Sequence, residues 1–205
     1  HNVIIMNPSS DILCDQELNA FAPISEFVSA DEYGYAVVNT QPAYKNYVNN
    51  AIRGAYLDKN TGAMIVQDEI SFKNSGNELY WLMHTKADVA LAADGKSAIL
   101  SQNGKRIWVG ILSQGNEVFS EPVNNEDNAK PLSTSPDPNT LSQNQANQPP
   151  NPKTQNSNDG IRKLVLHQTG VGGEYRLTVA LIPLKSGQTE PTVLPRVNPI
   201  SKWEN

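Results

Sequence analysis

From Asp31 to Leu112 the apolar residues fall in short runs, rich in β-branched and aromatic side chains and separated by polar turn residues. Tyr33–Thr40 (YGYAVVNT), Asn50–Asp58 (NAIRGAYLD), Ala63–Phe72 (AMIVQDEISF) and Glu78–Thr85 (ELYWLMHT) read as strands. Val89–Ala93, Ser97–Gln102 and Arg106–Ser113 continue the series. The runs are punctuated by Lys59-Asn60-Thr61-Gly62, Asn74-Ser75-Gly76-Asn77, Asp94-Gly95 and Asn103-Gly104. Asp-Gly and Asn-Gly tolerate the positive φ angles that tight hairpin turns demand. Short strands at this spacing predict an antiparallel sandwich or barrel. No stretch keeps a convincing helical period; Tyr44–Arg53 comes nearest.

Over residues 114–160 the strand pattern stops and Asn, Gln, Ser, Pro and Asp take over. Such a segment has almost nothing apolar to bury, so it cannot offset its own chain entropy and reads as a long polar loop. Strand character returns at Ile161–Gln168 and, after a glycine turn at Gly170–Gly173, at Glu174–Leu184. These two strands are expected to form a hairpin that completes the fold, because two strands alone are marginally stable. Residues 185–205 read as an extended, proline-rich tail anchored on the surface by Trp203. The prediction is all-β: one two-sheet antiparallel β-sandwich domain spanning residues 1–205.

Composition narrows the function classes. A net charge of −5 argues against a nucleic-acid partner, which needs a basic stripe to neutralise phosphates. The hydrophobic content of 38% is low for a packed domain, and the polar loop accounts for it. No apolar run approaches the roughly 18 residues of a membrane span. Cys14, the single cysteine, rules out an internal disulfide or a multi-cysteine metal site. The chain begins at His1, on what reads as a strand, with no start methionine or signal peptide. It is therefore expected to be a fragment whose upstream partner is missing.

Candidate chemistry is sparse. His1, His84 and His167 lie far apart, with no HxH or HExxH spacing. On a strand, Trp81 and Met83 face one side while Leu82 and His84 face the other. The plain reading of His84 is a partly buried histidine satisfied by its neighbours, and that of His167 is a surface residue. Asp68 and Glu69 are adjacent and point to opposite faces, so they cannot form a paired-carboxylate site. Cys14 has no catalytic signature around it and reads as a small apolar filler. There is no GxSxG elbow, P-loop or GxGxxG motif. From spacing alone, no catalytic site is contained in the chain.

The order of the segments adds something further. HNVIIMNP, AIRGAYLDKNTGAMIVQDEI and ELYWLMHTKADVALAADGKSAILSQNGKRIWVGIL, taken in sequence, resemble the C-terminal β-sandwich of heparinase II/III-type polysaccharide lyases. The strands after the proline-rich loop are similar to that family's distal strands. The resemblance implies a parent enzyme that cleaves uronic-acid polysaccharides by β-elimination, bacterial and periplasmic or secreted. Its catalytic base would sit in an upstream α/α toroid domain, and no catalytic residue is expected within this fragment. By the same resemblance His1 falls on a zinc ligand of the parent, the other ligands lying upstream. Arg53 and His84 fall on substrate-binding positions. Arg53 is also readable as a structural arginine paired with a neighbouring carboxylate, and His84 as sheet packing. Two competing readings stand beside the lyase. One is a free-standing carbohydrate-binding module with Tyr33, Tyr35 and Trp108 exposed as a platform, and the other is a structural sandwich without ligand.

Overall fold

A computed structural model describes residues 2–7, 16–17, 19–121 and 160–203. His1, Cys14 and residues 122–159 of the expected polar loop lie outside the described residues. The strands are β1 (Ile4–Met6), β2 (Ile24–Ser29), β3 (Tyr33–Asn39), β4 (Val48–Asp58), β5 (Met64–Phe72) and β6 (Asn77–Thr85). They continue with β7 (Asp88–Leu91), β8 (Ser97–Gln102), β9 (Lys105–Ile111), β10 (Phe119–Ser120), β11 (Arg162–Val171) and β12 (Glu174–Pro183). The region read as nearest to a helix resolves into a short 3-10 turn at Gln41–Tyr44, after which β4 starts at Val48. At Asn103-Gly104 both residues take positive φ, 50° and 72°, and join β8 to β9 by the tight turn the pair predicts.

Two antiparallel sheets result. The smaller has the order β1-β6-β11-β10, and the larger has the order β2-β3-β4-β5-β12-β9-β8-β7. One expectation is corrected here. Ile161–Gln168 and Glu174–Leu184 do not pair as a hairpin: β11 joins β6 and β10 in the small sheet, whereas β12 inserts between β5 and β9 in the large one. The physical reason lies in β12 itself. Leu177, Thr178, Val179 and Ala180 are four consecutive buried residues, the mark of a strand covered on both faces, which an edge hairpin would leave half exposed.

The core lies between the sheets. Ile4, Met6, Leu79, Trp81, Leu164 and Leu166 of the small sheet pack against Ala51, Ile70, Phe72, Val109, Leu177 and Val179 of the large one. The outer face of the large sheet carries its own apolar cover. Ile200 and Trp203, from the turn that ends the described chain, pack on Tyr35, Val37 and Tyr56. Trp203 fits there because position 54 is glycine: a Cβ on Gly54 would stand 2.5 Å from the indole ring. Gln67 donates to the Asn198 carbonyl (3.0 Å) and Glu69 accepts from the Ile200 N–H (3.0 Å), holding the turn down.

Four strands cannot cover eight. The inner face of the large sheet therefore runs out past β1, the edge of the small sheet, onto β2, β3 and β4. Cross-strand register places Ile24, Val38, Arg53 and Asp68 in one row on that face, with Phe27, Ala36, Ala55 and Val66 in the next. Ile24 is 64% exposed, Phe27 73% and Leu57 40%.

Candidate functional site

The row from Ile24 to Asp68 changes character at Arg53, where the apolar shelf meets the small sheet. Arg53 on β4 and Asp68 on β5 are register partners, so their side chains rise side by side on the inner face. The guanidinium grips the carboxylate with two parallel bonds, Nε to Oδ1 at 2.7 Å and Nη2 to Oδ2 at 2.9 Å. The Asp68 side chain is only 4% exposed and that of Arg53 is 22% exposed. Burial disfavours the guanidinium charge, but Asp68 more than compensates through its charge and hydrogen bonds, and Arg53 stays above its ordinary value.

Arg53 does more than neutralise Asp68. Its Nη1 donates to the main-chain carbonyl of Asn2 at 3.1 Å, crossing from the large sheet to the residues leading into β1. The Asn2 side-chain oxygen in turn accepts the His84 main-chain N–H of β6 at 2.7 Å. Asn2 is thus a hub, tied to one sheet through its carbonyl and to the other through its amide. Tyr44 supports the same strand from beside it, its buried hydroxyl donating to the Ile4 carbonyl at 2.7 Å. A guanidinium has five N–H donors, and among the described residues three are engaged, which leaves one on Nη1 and one on Nη2 for a ligand.

The structure brings Arg53 and His84 to the same hub but not side chain to side chain. Trp81 and Met83 point into the core, whereas Leu82 and His84 lie on the opposite face of the small sheet. The His84 imidazole therefore stands on the outer face, across from Lys163, while Arg53 lies on the inner side. His1 would adjoin Asn2 but lies outside the described residues. Among the described residues no group of three His, Cys, Asp or Glu side chains gathers to hold a metal ion. Asn2 and the Arg53–Asp68 pair were not legible as a unit. Adjacency of Asp68 to Glu69 showed only that they separate, and Glu69 indeed faces outward to Arg176 (3.2 Å).

A second polar cluster occupies the outer face of the small sheet. Tyr80 on β6 and His167 on β11 are register partners whose rings stack 4.0 Å apart and nearly parallel. Tyr80 Oη donates to Glu78 Oε1 at 2.7 Å, and His167 Nε2 lies 2.7 Å from the same oxygen. Burial, reinforced by Glu78, pushes the Tyr80 phenol well above the usual tyrosine range. Burial and Glu117 do the same for Tyr175. Both phenols are held neutral, which is unsuited to removing a proton near neutral pH. The rings expected as a sugar platform are not presented together, because Tyr35 and Trp108 are buried in two separate clusters.

No protein-family profile matches the chain, and no curated protein matches it. Solved structures do. Heparan sulfate lyase HepC from Pedobacter heparinus superposes with a TM-score of 0.58 at 8% identity, covering 92% of this chain and 25% of the lyase. A mutant of the same lyase gives a TM-score of 0.58 at 10% identity over 93% of this chain. A protein described as heparinase III, the BT4657 gene product, gives 0.57 at 13% identity, covering 90% of this chain and 24% of its own. The chain folds like one part of a heparan sulfate lyase. It spans about a quarter of the length of these lyases, and at such identities the likeness is one of fold. The two-sheet antiparallel architecture expected from the strand pattern is the one observed. Among the described residues no helix is long and apolar enough to cross a membrane.

Proposed function

We propose that this chain is the β-sandwich domain of a polysaccharide lyase that cleaves acidic, uronate-containing chains by β-elimination. The observation that carries the reading is the corner at Asn2, Arg53 and Asp68, set against an exposed apolar shelf in a fold that recurs within heparan sulfate lyases. Ile24, Phe27 and Leu57 are large apolar groups on a sheet face, where a monomeric domain gains nothing by exposing them. In this reading a helical domain of the parent polypeptide, an α/α toroid, docks on the shelf and closes a cleft over Arg53.

The chemistry follows from that placement. β-Elimination requires the uronate carboxylate to be neutralised, so that the adjacent C–H becomes acidic enough for a base to remove. Arg53 has two N–H donors to offer such a carboxylate, or a sulfate, and Asp68 fixes the direction in which they point. The base and the acid for the leaving oxygen come from the docked domain. Zinc in the assembled enzyme would require His1 together with ligands from outside the described residues. The enzyme would work in the periplasm or outside the cell, where such polysaccharides are met.

The test is to express the parent polypeptide, including whatever precedes His1, and supply heparan sulfate, chondroitin sulfate and alginate separately. The expected result is the ultraviolet absorbance of an unsaturated uronate product with one of them. Absence of product with all three overturns the proposal.

A further inference from the structure

At the end of the large sheet away from Asn2, the β8–β9 turn and the segment following β12 enclose an open groove. Its walls are Lys105, Arg106 and Ile107 on one side and Pro183, Leu184 and Lys185 on the other. Three cations line it and no carboxylate does, in a chain whose net charge is −5. Ile107 and Pro183, register partners on one face of the sheet, give it an apolar floor. The arrangement is built rather than incidental. Arg106 Nη2 donates to the carbonyls of Lys185 (3.2 Å) and Gln188 (2.6 Å), and the Leu184 N–H donates to the Arg106 carbonyl (3.0 Å). The Gln188 side chain closes the turn by accepting the Lys185 N–H at 2.8 Å. Arg106 thus pins the 185–188 turn beside the β8–β9 hairpin, which holds Lys185 and Lys105 on opposite walls. Among the described residues neither lysine ammonium has a hydrogen-bond or ion-pair partner, and Arg106 Nε and Nη1 have none either.

Uncompensated cations over an apolar floor match one ligand chemistry: oxyanions carried on a scaffold with an apolar face, as sulfate and carboxylate groups are carried on a sugar ring. We propose that this groove is a binding subsite for an acidic polysaccharide, separate from the corner at Arg53. Leu177 pairs with Asp68 on β12, and Pro183 lies six residues further on, which puts the groove about 20 Å along the strand. A chain of several sugars can span that distance. The choice of a polysaccharide over another polyanion rests on the lyase reading; the anion-binding character of the groove does not.

The experiment titrates the 205-residue chain with heparan sulfate oligosaccharides at low salt, beside a neutral glycan of equal length and inorganic sulfate at the same anion concentration. The variant Lys105→Glu/Lys185→Glu is measured in parallel, with its thermal unfolding as a check on folding, since both lysines are exposed. The expected result is oligosaccharide binding that weakens roughly tenfold in the double variant and falls with added salt. Equal binding by the double variant overturns the proposal, as does absence of binding. Displacement by inorganic sulfate at matched concentration overturns the polysaccharide assignment and leaves a free-anion site. Product formation by the parent enzyme is read separately, so failure of the groove and failure of the lyase reading are distinguishable.

Discussion

Replacing Arg53 with Gln tests the corner directly. Asp68 is 4% exposed and both of its oxygens are bonded to the guanidinium, so removing the arginine strands a buried carboxylate. Breaking one side of such a pair costs about 3–5 kcal/mol, most of it the penalty of the charge left behind. The lower end applies here, because Arg53 is 22% exposed and water can reach part of the vacated space. The same change cuts the bond to the Asn2 carbonyl, adding about 1 kcal/mol through the loss of a sheet-to-sheet tie. For a chain of this size each kcal/mol lowers Tm by about 2–4 °C, so the fall should be roughly 8–16 °C. Urea unfolding followed by circular dichroism measures the free energy and a thermal scan measures Tm. Arg53→Met combined with Asp68→Leu removes both charges and should recover most of the loss. If Arg53→Gln costs less than about 1 kcal/mol and the double-mutant cycle shows no coupling, the pair is not a strut and the argument fails.

The remaining predictions concern other parts of the fold. Gly54→Ala forces a Cβ into the Trp203 ring and should expel it, at about 1–3 kcal/mol, with a red shift of tryptophan emission; an unchanged spectrum would contradict the packing. Gly104→Val places a β-branched residue at a φ of 72° and should cost about 1–2 kcal/mol in urea unfolding, whereas the same change in an extended position would not. Tyr80 and Tyr175 have raised phenol pKa values, from burial first and then Glu78 or Glu117, so their neutral forms stabilise the folded chain. That contribution is complete below the ordinary tyrosine pKa of about 10 and is lost as pH rises through the folded values. Alkaline titration should show late tyrosinate absorbance, and Tyr80→Phe should remove part of it; ordinary titration of every tyrosine would refute the assignment.

The strand pattern was legible because it is local. Runs such as AMIVQDEISF and the Asn103-Gly104 turn specify extended chain and reversal from neighbouring residues alone, and both form as read. The separation of Asp68 from Glu69 was equally local, since successive strand residues must face opposite ways. What the chain order could not specify was which strands pair. β11 and β12 are separated by one glycine turn, yet they lie in different sheets, because β12 buries both faces between β5 and β9. The same long-range pairing makes Arg53 and Asp68 neighbours across fifteen positions, and it draws Asn2 between Arg53 and His84 across fifty-one and eighty-two. Alternation assigns each side chain to a face, but sheet order decides which faces meet. The corner, the uncovered shelf and the cationic groove are all products of that second step.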